Sequence, residues 1–244
     1  MDRSKESLYI RFDNGVGTIE IGHQNDNQLD TVLLKRLEKS INEIEADNTI
    51  SILVLSSQSN EFFCSGLLPE LLSHTTVSET EESLLALARV LIALQNCSKL
   101  LIANVKGKLV DAGIGLIGCC DYVFATEAAS LQVNQVKYNL APLIIQLPLL
   151  YRIGSSSFDS LIWTPNLWKN AYWSLKKGLY HRVFEKSFEL DQTVEFFIQG
   201  LDQTTLSTIA TTKLLKRKEG ENWSTQFAER ALHMATNFHK SKNF

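Results

Sequence analysis

No apolar run in this sequence is long enough to cross a bilayer. The longest, residues 140–150, is broken by Pro142, Gln146 and Pro148 and falls well short of the roughly 20 residues that a spanning helix needs. The first residues, Met-Asp-Arg-Ser-Lys-Glu-Ser, have no apolar core, which is not the pattern of a signal peptide. Nor is there a basic excess. The 24 Lys and Arg against 27 Asp and Glu leave a net charge of −3, whereas a nucleic-acid binder needs a basic stripe. Neither a membrane nor a nucleic acid is expected as a partner. Cysteine is scarce: Cys64, Cys97, Cys119 and Cys120 lack the density of a disulfide scaffold and read as buried thiols of a cytoplasmic protein. Cys64 has no neighbour in sequence that would lower its pKa, so it is expected to be unreactive. The five histidines, His23, His74, His181, His233 and His239, are scattered. None is paired at ligand spacing, and no metal or other cofactor is expected.

What is present fits one globular unit with a sizeable core, since 44% of the 244 residues are hydrophobic. Residues 8–12 and 17–21 alternate in polarity and flank Asp13-Asn14-Gly15, which predicts a β-hairpin. Residues 30–46 carry Leu33, Leu34, Leu37, Ile41 and Ile44 on one helical face. Residues 51–55 form a short, continuously apolar strand. Pro69 suits the first position of a helix, where its missing N–H costs nothing. Residues 73–82 are polar and acidic and read as a linker before a helix at 83–94. After Gly154 the pattern is helical, at 156–163, 169–177 with Gly178 as a stop, 190–200, 203–218 and 222–237. Strands alternating with helices imply a largely parallel sheet, and the helical tail an appended subdomain.

Two stretches share one design. Residues 100–105 are a β-branched and apolar strand that enters a turn at Gly107, and a helical pattern begins behind Asp111-Ala112-Gly113-Ile114-Gly115. Upstream, the strand at 51–55 leads to Phe62-Phe63-Cys64-Ser65-Gly66-Leu67-Leu68-Pro69. A strand-to-helix turn with glycine exposes main-chain N–H groups, which can serve an oxygen that gains negative charge.

The pair of turns, their order and the segment that follows resemble the crotonase, or enoyl-CoA hydratase/isomerase, superfamily over about residues 8–238. Ser65-Gly66-Leu67-Leu68 stands where the family has A-G-x-D. Gly107-Lys108-Leu109-Val110-Asp111-Ala112-Gly113 stands where it has G-x-A-x-G-G-G. The Ala-Gly-Ile-Gly turn and the Leu-Pro-Leu-Leu-Tyr-Arg-Ile-Gly segment look most like the polyketide β-branching members, which dehydrate or decarboxylate a 3-hydroxy-3-methylglutaryl chain on an acyl carrier protein. Residues 171–183 and 211–215 resemble the family's A-x-x-x-G-L-V and A-x-x-K-x-x-L segments.

The resemblance implies an α/β fold, a crotonase-like spiral of β-β-α turns over residues 1–188 with a helical, oligomerising subdomain at 189–244. It implies an acyl thioester on coenzyme A or a carrier protein as the partner, and a homotrimer or hexamer. It implies a mobile cover over the acyl pocket near residues 73–82. The backbone N–H groups of Leu67 and Ala112 become the oxyanion donors, with Gly66, Gly113, Leu68 and Gly115 lining the substrate. The usual acid and base are absent: family glutamates map to Gly115 and Gln135, and Asn134 replaces a proline. General acid–base catalysis is worth about 10² to 10⁴ in rate, so the replacement is the open question. Asp111, where relatives have Gly or Ala, and Tyr138 are the first candidates, Lys108 and His74 weaker ones, and Gln135 can orient a carboxylate or a water. Decarboxylation, or a chain that has lost catalysis, are the alternative functions. Asp121, in the family's Cys-Asp pair, reads as structural. Trp163, Trp168, Trp173 and Trp223 read as core or subunit contacts.

Overall fold

The computed structural model describes residues 8–22, 24–67, 76–218 and 223–241. Strands β1 (Leu8–Asp13) and β2 (Val16–Ile21) make the expected antiparallel hairpin. Asn14 and Gly15 both take positive φ, 46° and 80°, as a two-residue turn matched to strand twist requires. Helices α1 (Gln24–Asn27) and α2 (Thr31–Ala46) follow. The Asp30 side chain caps α2 by accepting from Leu33 N at 2.6 Å, and the five apolar residues of the expected stripe are buried.

The next segments climb in a spiral. β3 (Ile52–Ser57) joins a large sheet and β4 (Phe62–Cys64) a small one, before helix α3 (Val77–Asn96). β5 (Leu100–Val105) and β6 (Lys108–Val110) repeat this before α4 (Ala112–Gly118). β7 (Tyr122–Thr126) and β8 (Leu131–Gln132) repeat it again before a 3₁₀ turn (Gln135–Tyr138) and α5 (Leu143–Ile162). The large sheet runs β1-β2-β3-β5-β7-β9, where β9 is Arg182–Phe184, and the small one β4-β6-β8. All pairs except the hairpin are parallel. This is the expected spiral of β-β-α turns.

Helices α6 (Ala171–Lys176), α7 (Ser187–Gln199), α8 (Gln203–Lys218) and α9 (Trp223–Ser241) complete the chain. β3 is buried along its whole length because the large sheet is covered on both faces. One face meets the main core, in which Leu87 and Leu91 of α3 join Phe227, Ala231 and Met234 of α9. The other carries Val54, Ile102 and Phe124 against Leu190 and Val194 of α7.

Two expectations change. The polar stretch before residue 83 is not a linker from 76 on. Thr76 accepts from Glu79 N while the Glu79 carboxylate accepts from Thr76 N at 2.7 Å, a capping box that starts α3 six residues early. Residues 73–75, and the helix expected at Pro69, lie outside the described residues. Strand β9 was not expected; three residues behind the Gly178 stop carry too little alternation to show. The run 143–162 is two helices meeting at Gly154, whose φ of 70° no helix allows. Among the described residues no helix is long and apolar enough to cross a membrane.

A buried ion pair fastens α8 to the sheet. Lys213 Nζ donates to Lys99 O and to the Asp121 carboxylate, which also accepts from Leu101 N at 2.8 Å. This bears out the structural reading of Asp121. Removing one partner of such a pair costs about 3 kcal/mol or more. Lys213→Met is therefore expected to lower the free energy of unfolding in urea by about 3 kcal/mol, and adding Asp121→Asn to recover part of it. Additive losses from the two changes would show that the pair is not coupled.

Candidate active site

β4 and β6 are neighbours in the small sheet, so the turns that follow them leave it side by side. Their contact tolerates no side chain. A Cβ on Gly113 would stand 2.7 Å from Cys64 O and 2.9 Å from Cys64 Cβ, closer than atoms pack. Gly66 has φ +93°, and its absent Cβ would stand 3.4 Å from Val110 O and from Asp111 Cβ. Gly66 O accepts from Leu29 N at 2.8 Å, which fixes the first turn's orientation. Among the described residues, the N–H groups of Leu67 and of Ala112 are donated to no acceptor. Both residues are buried.

Between the turns lies Asp111. Its backbone (φ 45°, ψ −104°) is in a region that costs a non-glycine residue on the order of 1–3 kcal/mol. That conformation turns the carboxyl away from α4, whose first turn receives no side-chain cap. Oδ1 instead accepts from Asn134 N at 2.7 Å and Gln135 N at 3.2 Å. Oδ2 lies 3.7 Å from the point where a Gly66 Cβ would be. The residue is 8% exposed. Burial pushes its pKa up to about 7, against the pull of the Asn134 and Gln135 N–H groups and of Lys137.

Gln135 is 4% exposed, and its Oε1 accepts no hydrogen bond among the described residues, nor do the buried Asn134 Oδ1 and Ser65 Oγ. A buried oxygen left so costs about 1–3 kcal/mol. Gly115, at one glutamate position, has no space for an acid: a Cβ there would meet Ile145 Cγ2 at 2.9 Å. Tyr138 does not join the group. It ends the 3₁₀ turn 54% exposed, and its hydroxyl makes no hydrogen bond among the described residues. Lys108 Nζ sits over the rings of Phe62 and Trp168, which accounts for its charge without the site. Leu68 and His74 lie outside the described residues. Cys64 is fully buried, and burial pushes its thiol up to about 12, which fits the expected lack of reactivity. The carboxyl of Asp111 is thus the one acid that the structure brings to the two turns among the described residues. The sequence carried a hint of this in an acid where relatives have glycine, but none of its direction, nor of the unpartnered oxygens of Asn134 and Ser65.

A carboxyl whose pKa rises from 3.8 to about 7 on folding stabilises the folded state below the lower value, and that contribution is lost as pH rises through the upper one. Asp111→Asn keeps an oxygen for Asn134 and Gln135 N–H but carries no charge. The variant is expected to match the wild type in stability near pH 4 and to exceed it increasingly up to about pH 7. Urea denaturation of both proteins across that range checks this, and parallel pH curves would contradict it.

The family model of enoyl-CoA hydratase/isomerase matches residues 11–243. A peroxisomal Delta(3,5)-Delta(2,4)-dienoyl-CoA isomerase of Arabidopsis thaliana is 25% identical over 215 residues, 81% of this chain and 75% of that protein. The crystal structure of an enoyl-CoA hydratase from Bacillus halodurans superimposes with a TM-score of 0.89 at 22% identity, covering 97% of each chain. That of a candidate polyketide biosynthesis enoyl-CoA hydratase (pksH) from Bacillus subtilis does so with a TM-score of 0.82 at 20% identity, over 98% of this chain and 94% of that one. The structural likenesses are of fold. With a family match along nearly the whole length, and the two glycine turns abutting as that fold places them, this chain belongs to the enoyl-CoA hydratase/isomerase family.

Proposed function

We propose that the protein is an acyl-thioester lyase that dehydrates a carrier-protein-bound 3-hydroxy-3-methylglutaryl intermediate in polyketide β-branching. The observation that carries the thioester part is the pair of undonated N–H groups, Leu67 and Ala112, on abutting turns. A thioester carbonyl between them becomes an enolate oxygen when the α-proton leaves, and donors already in place stabilise that charge more than they stabilise the neutral carbonyl. Gly66 and Gly113, where a side chain would meet the neighbouring turn, hold the donors in position. The choice of substrate is supported by the likeness of the Ala-Gly-Ile-Gly turn and of the Leu-Pro-Leu-Leu-Tyr-Arg-Ile-Gly segment to the β-branching members, and by the fold shared with the pksH protein. Coenzyme A in place of a carrier protein would present the same thioester. A homotrimer or hexamer is part of this reading, supported by the exposed Trp163, Leu167, Trp168 and Tyr172.

Decarboxylation of the product is the second reading. It is favoured by the occupation of the space beside Gly115 by Ile145, because loss of carbon dioxide needs an oxyanion site but no base at that position.

Mass spectrometry of 3-hydroxy-3-methylglutaryl and 3-methylglutaconyl carrier protein, with crotonyl-CoA alongside, separates the readings. Dehydration is expected to appear as loss of water from the first, and the decarboxylase reading as loss of carbon dioxide from the second. Gly66→Val and Gly113→Val are each expected to reduce turnover by about 10²-fold or more, the effect of losing one oxyanion donor. Turnover of no thioester would mark a chain that keeps the fold without the chemistry, and full turnover by either variant would refute the donor assignment.

A further inference from the structure

We propose that Asp111 is the single proton-transfer residue of this site, taking the α-proton of the bound acyl thioester and returning it to the departing β-hydroxyl. This rests on the acyl-thioester reading above. Both places from which an acid would be expected to act are closed to that chemistry. Gly115 is packed against Ile145, and Gln135 is an amide, which neither gains nor gives up a proton near neutral pH.

The Asp111 carboxyl has the position and restraint that the task demands. Its residue immediately precedes Ala112, one proposed donor, and its Cβ borders Gly66, which precedes Leu67, the other. A carbonyl oxygen held by those two N–H groups would bring the adjoining α-carbon to the same pair of turns as this carboxyl. Oδ1 is held by two backbone N–H groups, so the plane of the carboxyl is set, while Oδ2 accepts no hydrogen bond among the described residues. A carboxyl that served only to tie residues 134 and 135 to the turn would not need the strained backbone at φ 45° that points its second oxygen toward Gly66. The raised pKa agrees with the assignment, because a group that must both accept and give a proton works best near the ambient pH.

The step balances within the site. The Asp111 carboxylate takes the proton from Cα, and the electrons of that C–H bond move into the enolate, whose oxygen is held by Leu67 and Ala112 N–H. The enolate then collapses: the Cα–Cβ double bond forms and the Cβ–O bond breaks. The leaving oxygen takes the proton from Asp111 and departs as water, which restores the carboxylate. No oxidant or reductant is involved. One group on one face does both transfers, so the elimination is syn.

The test measures wash-in of solvent deuterium at Cα and loss of water from 3-hydroxy-3-methylglutaryl carrier protein, by mass spectrometry, for the wild type and Asp111→Asn. A saturated, unreactive acyl carrier protein gives binding for each. Asp111→Asn is expected to lose exchange and dehydration together by about 10² to 10⁴-fold with binding unchanged, and stereospecifically deuterated substrate to show syn loss. In Gln135→Glu the rate's lower pH limb is expected to move up, as a second carboxylate raises the pKa of Asp111. Exchange at the wild-type rate in Asp111→Asn, or anti elimination, would overturn this assignment and leave the thioester reading intact. Lost turnover with lost binding would make Asp111 a purely structural residue and also overturn it. A wild type that neither exchanges nor dehydrates any thioester would overturn both.

Discussion

The site depends on one close approach. The start of α4 lies against the end of β4 with no room for a Cβ at Gly113, and from that contact follows the placement of everything else of chemical interest. It brings two turns from successive circuits of the spiral to one end of the small sheet, each with a main-chain N–H that no acceptor takes up among the described residues. It also brings Gly66 against Asp111, so that the strand register of β4 and β6 sets the distance from carboxyl to donor. Side-chain identity matters little for the donors. Backbone path decides them, and the path is set by which residues lack a side chain.

The same packing bears on where a carboxyl can stand. Ile145 of α5 fills the space over Gly115, so the helix face that would carry an acid is hydrocarbon. Asp111 stands in the turn instead, at the cost of a strained backbone and a buried carboxyl. Both costs reduce folding stability. A residue that destabilises the fold while facing the proposed reaction centre is what function, more than folding, would retain.

Much of the architecture was legible because local signals agreed with the final structure. Asn14 and Gly15 specify the hairpin, Asp30 starts α2, and the continuously apolar β3 marks a strand covered on both sides. What failed was short or composite. Strands β4, β6, β8 and β9, of three, three, two and three residues, are too brief for alternation to show, so the small sheet read only as turns. The start of α3 was written in Thr76 and Glu79, a capping box inside an acidic stretch that composition alone assigns to a linker. At the site, glycine spacing and the loss of both glutamates could be read directly. The direction of the Asp111 side chain could not, because it is set by contacts 23 and 24 residues away. Nor could the exposure of Tyr138, which a position three residues past Gln135 leaves open.

One substrate oxygen is expected to accept from Leu67 and Ala112 N–H at once. An isotope-edited infrared difference spectrum of a bound acyl thioester, labelled with ¹³C at the carbonyl, reads this most directly. Two donors aimed at the oxygen polarise the C=O bond, so the carbonyl band is expected at lower frequency in the complex than for the same thioester in water. A bound thioester whose carbonyl band stays at its aqueous position, or moves higher, would contradict it.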